Sequence, residues 1–290
     1  MKRKFKVAGI GELLWDILPS GKKLGGAPFN FAYHAAQAGC EPYVISAIGK
    51  DEMGVEILEK INQLGIYSGY IQKNKYSTST VTVKLDKNGH PEYTIHENVA
   101  WDYIHWNANL NVLTDELDAV CFGSLAQRNP ESAGTIRTFL RALNPDCLKV
   151  FDINLRQHYF AKQSITESLQ LADILKLNDD ELPVLSRYYN LQGEKKFQLK
   201  ILIEKFDLKY IIYTLGSEGS IIISSDDYSF MKAPKVKVCD TVGAGDAYTA
   251  TFIAGLLQKK PLAELHKKAT DVAAFVCTQK GAITNLQILK

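Results

Sequence analysis

Asp240-Thr241-Val242-Gly243-Ala244-Gly245-Asp246 runs directly into an apolar stretch, Ala247 to Leu257. The apolar part is hydrophobic nearly all round, the pattern of a helix buried on every side. Its start offers unpaired N–H groups and the positive end of the helix dipole. Gly243 and Gly245, with Ala244 between them, leave the backbone bare, so a phosphate can approach closely. By composition the turn is an anion hole. Asp246 sits at the same helix start, where a carboxylate is expected to be held as the anion and to be available as a base at neutral pH. The same residues also suit a plain turn with an N-capping Asp.

Outward from this turn, strand-like apolar runs alternate with helix-like periodic runs. Strands are expected at Phe5–Ile10, Tyr43–Ile48, Ala119–Phe122, Lys149–Ile153, Ile174–Leu177 and Tyr210–Leu215. Helices are expected at Pro28–Ala38, closed by Gly39, and after a capping Asp51, where Ile57, Leu58, Ile61 and Leu64 share a side before Gly65. Further helices are expected at about 131–143, 164–171, 179–189, 195–206, 244–258 and 262–278. Ser220–Ser224 and Ser229–Lys232 read as a closing antiparallel pair. Repeated βα units imply an α/β fold with a central, mostly parallel sheet flanked by helices. Between about 66 and 105 the pattern changes. Val81, Val83 and Leu85 alternate with polar residues, Asn88-Gly89 marks a tight hairpin, and Thr94–Glu97 reads as the return strand. A small β-sheet standing off the main body is expected there. In such folds ligands bind beyond the carboxyl ends of the strands, so polar residues directly after strands are the candidates.

The chain has 290 residues, enough for one large α/β domain with a small appendage. Its formal charge of +2 arises from 34 basic and 32 acidic residues, with only short basic runs, so no nucleic-acid or membrane partner is indicated. The five cysteines, Cys40, Cys121, Cys147, Cys239 and Cys277, are far apart and odd in number, which argues against a disulfide framework or zinc site. They read as reduced residues of a cytoplasmic protein. No apolar run of membrane-spanning length occurs, and the apolar part of Met1–Ile10 is short for a signal peptide.

The seven-residue string Asp240 to Asp246 closely resembles the hallmark near the C-terminus of the ribokinase-like (PfkB) sugar kinases. The resemblance implies that Asp246 is the catalytic base and that the N–H groups of Gly243, Ala244, Gly245 and Asp246 hold the transferring phosphoryl group. Other segments agree in order. Leu24-Gly25-Gly26-Ala27-Pro28-Phe29-Asn30 looks like the family's Gly-Gly sugar motif, with Gly25, Gly26 and Asn30 as sugar contacts. Gly11-Glu12-Leu13-Leu14-Trp15-Asp16 resembles the segment whose Asp, here Asp16, grips sugar hydroxyls. Alone, Asp16 reads rather as an Asp in a loop before Pro19. Phe151-Asp152-Ile153-Asn154-Leu155-Arg156 is similar to a string of fructokinases and 2-keto-3-deoxygluconate kinases, with Arg156 reaching sugar or phosphoryl oxygens. A salt-bridged structural Arg is the alternative.

Asn178-Asp179-Asp180-Glu181 resembles the family's Asn-x-x-Glu pair, which implies that Glu181 orders Mg2+ through water while Asn178 lies near the triphosphate of ATP. It also reads as a capping box. Thr214-Leu215-Gly216-Ser217-Glu218-Gly219 looks like the nucleotide loop, with Thr214, Gly216 and Gly219 near the nucleotide. Alone it is a hairpin turn. The resemblance further implies a K+ site lined by Asp240 and the Val242 carbonyl near Gly281, and a homodimer formed through a lid. The chain is expected to be a single ribokinase-like domain over residues 1–290, with the lid built from about 11–27 and 66–105.

The function so implied is ATP-dependent phosphorylation of a primary hydroxyl of a small-molecule sugar. The combined motifs are most similar to fructokinases, with 2-keto-3-deoxygluconate kinase as the alternative. The lid segment His90-Pro91-Glu92-Tyr93-Thr94-Ile95-His96 departs from the usual pattern. Val242 replaces a frequent Thr where the backbone carries the role. Two other classes compete. A dinucleotide-binding oxidoreductase would use Gly9-Ile10-Gly11, but Leu14 stands where a third glycine belongs. A non-catalytic sugar sensor would not need Asp246, the paired glycines and Glu181.

Overall fold

The computed structural model describes residues 3–18, 21–85 and 91–286. The chain opens with strands β1 (Lys6–Ile10), β2 (Leu14–Leu18) and β3 (Gly21–Gly25), then helix α1 (Ala27–Gln37) and β4 (Glu41–Gly49). Next come α2 (Glu52–Gln63), β5 (Ile71–Asn74), β6 (Ser79–Leu85) and β7 (Pro91–Ile95). Helix α3 (Ala108–Thr114) leads to β8 (Ala119–Gly123), α4 (Pro130–Ala142), β9 (Leu148–Asp152), α5 (Lys162–Leu171) and β10 (Ile174–Asn178). The remainder is α6 (Leu182–Tyr189), α7 (Lys195–Phe206), β11 (Tyr210–Thr214), β12 (Ser220–Ile223), β13 (Tyr228–Met231), α8 (Ala244–Leu257) and α9 (Leu262–Val276).

Nine strands form one sheet in the order β13-β12-β11-β10-β9-β8-β1-β4-β5. From β5 to β11 every neighbouring pair is parallel, and β12 and β13 close the sheet antiparallel. Buried strands need apolar side chains on both faces, which is why β1, β8 and β10 are apolar runs without alternation. Two cores result. Trp101, Phe122, Phe139 and Phe151 fill one face, against α4 and its neighbours. Phe31, Phe252, Ile253 and Leu265 fill the other, beneath α1, α8 and α9. Helix α8 is buried from Ala247 to Gly255, as its all-round apolarity requires.

The second sheet is small, with order β3-β2-β6-β7. The strand pair β6–β7 is antiparallel as expected, and its Asn88-Gly89 turn lies outside the described residues. Two pieces of the stretch 66–105 sit elsewhere. β5 pairs in parallel with β4 at the edge of the main sheet, and the turn Ala100–Tyr103 is packed into the main core, with Trp101 fully buried. β2 and β3 were not evident as strands, because five-residue pieces rich in site residues carry little periodicity. The expected helix at 179–189 begins only at Leu182, after a turn held by Asn178 and Glu181.

Asp51 caps α2 as expected. Its Oδ1 accepts from the Gly54 N–H at 2.8 Å and from Thr78 Oγ1 at 2.6 Å, while Oδ2 accepts from the Thr78 N–H at 2.7 Å. This one carboxylate therefore ties α2 to the start of β6. Asp51→Ala is expected to lower unfolding stability by about 1–2 kcal/mol, measured by denaturant titration.

Candidate active site

The carboxyl ends of β1, β8, β9, β10 and β11 lie along one edge of the main sheet. There the candidate residues from distant parts of the sequence meet. Asn30, buried on α1, donates from Nδ2 to Asp246 Oδ2 at 2.8 Å, joining two segments 216 residues apart. Gly243 is the N-cap of α8 with φ 82°, and a side chain there would collide with Ala282. The Ala247 N–H bonds to the Gly243 carbonyl, and ahead of it in the first turn stand the N–H groups of Gly245 and Asp246. Such first-turn donors are the ones a helix leaves unpaired.

Asp246 is half-buried and borders a narrow cavity with Pro28, Gly123, Asp152 and Thr249. Its carboxyl is pushed up to about 6 by burial first and by Asp152 second, against the pull of Asn30, Lys176 and Arg156. The start of a helix alone would stabilise this carboxylate as the anion. Desolvation outweighs the dipole here, and the result is a stronger base that is still mainly ionised at neutral pH.

Lys176, on β10, is the residue the sequence reading missed. Its Nζ bonds Asp152 Oδ1 at 3.1 Å, and both side chains are buried. The same Nζ lies 3.1 Å from where a β-carbon on Gly245 would stand. The glycine thus leaves room for an ammonium directly at the anion hole. Burial works against the Lys176 charge, but Asp152, Glu181 and Asp246 more than offset it and hold the amine protonated. A lysine inside the apolar run Ile174-Leu175-Lys176-Leu177 was the available signal, since buried lysines need a partner.

Glu181, also buried, accepts the Asn178 N–H at 2.8 Å and the Leu155 N–H at 3.0 Å. Asn178 Oδ1 in turn accepts from the Asp180 and Glu181 N–H groups. The capping-box geometry is therefore present, and it ties β10 to the loop that carries Arg156. Thr214 is the register partner of Asn178 on β11, so these two candidates are neighbours. Gly216 and Gly219 form the turn into β12, where the Leu215 N–H bonds the Gly219 carbonyl at 2.8 Å.

The model of the pfkB family carbohydrate kinases matches residues 20–289. The chain belongs to this family of sugar kinases. An uncharacterized sugar kinase from Pyrococcus horikoshii, solved in complex with ATP, superposes with a TM-score of 0.82 at 27% identity, over 96% of this chain and 94% of that one. A fructokinase of Escherichia coli is 26% identical over 97% of this chain and 96% of its own. The fructokinase of Xylella fastidiosa with bound ATP shares the fold, with a TM-score of 0.85 at 19% identity over 98% and 95% of the two chains.

In this kinase Asn30 and Arg156 both act on Asp246, and Arg156 also acts on Asp16. Asp16 lies on β2, not in a loop, and burial raises its carboxyl to about 6, with Arg156 the first influence in the opposite direction. Gly25 packs against Asp16, since an added β-carbon would stand 2.6 Å from Asp16 Oδ2. Gly26, with φ 114°, caps α1 and rests on the Glu12 carbonyl. Arg156 is exposed, bonds the Leu155 carbonyl from Nη1, and acts electrostatically on Glu12, Asp16 and Asp246. Asp240 Oδ1 accepts the Val242 N–H at 3.0 Å and Oδ2 the Gly281 N–H at 2.9 Å, so it links the turn before α8 to the loop after α9. Glu12 and Asp152 are two further acidic groups of the site to which no role was assigned from sequence.

Proposed function

We propose that this kinase transfers the γ-phosphoryl group of ATP to the primary 6-hydroxyl of fructose, giving fructose 6-phosphate. The Asn30–Asp246 hydrogen bond carries the reading, because it brings the sugar motif and the anion-hole motif to one point. Asp246 accepts the proton of the sugar hydroxyl, and the oxygen attacks the γ-phosphorus in line. The N–H groups from Gly243 to Asp246 and the Lys176 ammonium face the equatorial oxygens. Asp16, Gly25, Gly26, Asn30 and Arg156 hold the sugar. Asn178, Thr214, Gly216 and Gly219 border the nucleotide.

Among the described residues no group of three or more His, Cys, Asp or Glu is placed to hold a metal. Mg2+ would keep its waters and travel on the triphosphate, with Glu181 as an outer, water-bridged carboxylate. When bound with ATP the ion supplies neutralising charge at the β- and γ-phosphates. A K+ ion beside Asp240 and the Val242 carbonyl is part of the same proposal, and rates in K+ and Na+ test it. We also assign the small sheet the role of a lid that excludes water, and of a homodimer contact through an exposed edge strand. Among the described residues no helix is long and apolar enough to cross a membrane, and the five cysteines are unpaired. The free thiols suit the cytoplasm.

Coupled ADP detection over fructose, 2-keto-3-deoxygluconate, ribose and fructose 6-phosphate tests the substrate. Fructose is expected to exceed the others in kcat/KM by about tenfold or more. No turnover of fructose overturns that choice.

A further inference from the structure

Glu12 follows β1, the strand that lies between β8 and β4 in the main sheet, and only 3% of it is exposed. An anion so buried requires partners. The N–H groups of Glu12 and Ala27 favour its charged form, yet Oε2 has no hydrogen-bond partner. Burial raises the carboxyl to about 7, and the charges that act on it are Asp246 and Arg156, both at the candidate site.

Asn30 shows the same deficit. It is 4% exposed, its Nδ2 is committed to Asp246, and its Oδ1 has no partner. The two residues meet at Gly26. Asn30 donates its N–H to the Gly26 carbonyl at 2.9 Å, and a β-carbon on Gly26 would stand 2.3 Å from the Glu12 carbonyl oxygen. Two buried acceptors that lack a donor thus belong to residues whose backbones meet at one glycine, and both residues interact with the proposed base. Each is destabilising while it stays unpaired. Hydroxyl groups are the donors that would relieve them, and a polyol offers several. The phosphates of a nucleotide offer none.

We infer that Glu12 is a specificity-determining residue, whose Oε2 accepts a hydrogen bond from a hydroxyl of the acceptor sugar other than the one phosphorylated. The inference rests on the sugar-kinase reading of the site and names the residue that selects polyhydroxylated acceptors. Asn30 Oδ1 takes a second hydroxyl. Asp246 is left to the reacting one.

The test compares wild type, Glu12→Gln and Glu12→Asp on fructose and on its 3-deoxy and 4-deoxy analogues. Kinetics are read by ADP release and sugar binding by calorimetry, with thermal melting to establish folding. Both variants are expected to raise KM and Kd for fructose about 10- to 100-fold, as for a lost hydrogen bond to a charged group. The KM for ATP should not move, and kcat should stay within about threefold. For the analogue that lacks the contacted hydroxyl, wild type and variants should coincide. An equal loss on fructose and on both analogues overturns the inference, as does a fall in kcat with unchanged sugar affinity. Glu12→Asp keeps the charge and carries the test if Glu12→Gln does not fold. Absence of wild-type turnover on fructose is a separate failure, of the proposed substrate. The comparison is then made on the sugar of highest turnover and its deoxy analogues.

Discussion

Asp246→Asn is expected to lower kcat by about 10²- to 10⁴-fold, with KM for sugar and for ATP within a few-fold of wild type. The substitution is nearly isosteric. An Asn side-chain oxygen still accepts from Asn30 Nδ2, so the bond now 2.8 Å long has a counterpart in the variant. The N–H groups at the start of α8 are backbone and do not change. Only the capacity to take a proton is removed. Loss of kcat without loss of binding is therefore the signature of a base, and coupled ADP detection reads it directly. Activity within tenfold of wild type would refute the role.

The raised carboxyl gives a second consequence with a definite sign. Burial and Asp152 place Asp246 near 6, well above an ordinary aspartate. Below that pH the base is protonated, so kcat/KM should fall about tenfold per unit of pH on the acid side. Stability moves oppositely. The folded protein holds this proton more tightly than the unfolded chain does. The protonated group contributes stability at low pH, and the contribution is lost as pH rises through about 6. At pH 7 the ionised carboxylate costs up to about 3 kcal/mol. Asp246→Asn should recover part of that, and its melting temperature at pH 7 should exceed that of wild type. A lower melting temperature would contradict the burial account. Inactivation accompanied by stabilisation is what a strained functional carboxylate produces.

Most of the main sheet was legible because burial on both faces leaves a blunt signature. Strands such as Ala119 to Gly123, buried at every residue, read as apolar runs of strand length, and the intervening helices carry 3.6-residue periodicity. The small pieces were less legible. β5 has one buried residue in four, Ile71, and joins the sheet through backbone pairing with β4, which no side-chain pattern encodes. The anion-hole turn was readable because its glycines and its acid are adjacent in sequence. Lys176 and Glu12 were not, because their significance comes from neighbours on other strands and loops. Lys176 matters through Asp152 on β9 and Gly245 on α8. Glu12 matters through the Asn30 and Asp246 it sits beside.

Lys176→Met is expected to lower both stability and turnover, because it removes a buried charge. Asp152, Glu181 and Asp246 all act on the Lys176 ammonium, whose Nζ contacts Asp152 at 3.1 Å. Methionine fills the same volume without the cation. Three acidic groups then face one another with Arg156, exposed at the site, as the remaining cation nearby. Breaking a buried pair in this way costs about 3–5 kcal/mol of stability. Activity should fall about 10²- to 10³-fold as well, the usual consequence of losing one donor to a developing oxyanion. The two losses separate in Lys176→Met/Asp152→Asn, which removes the cation and its anionic partner together. If Lys176 serves only to neutralise Asp152, the double variant regains both stability and turnover. If the ammonium reaches through the gap at Gly245 to the phosphoryl group, stability returns and kcat does not. The geometry favours the second outcome. Gly245 leaves room for the ammonium directly beside the first turn of α8, and a positive charge at that point has no structural partner on α8 except the proposed base.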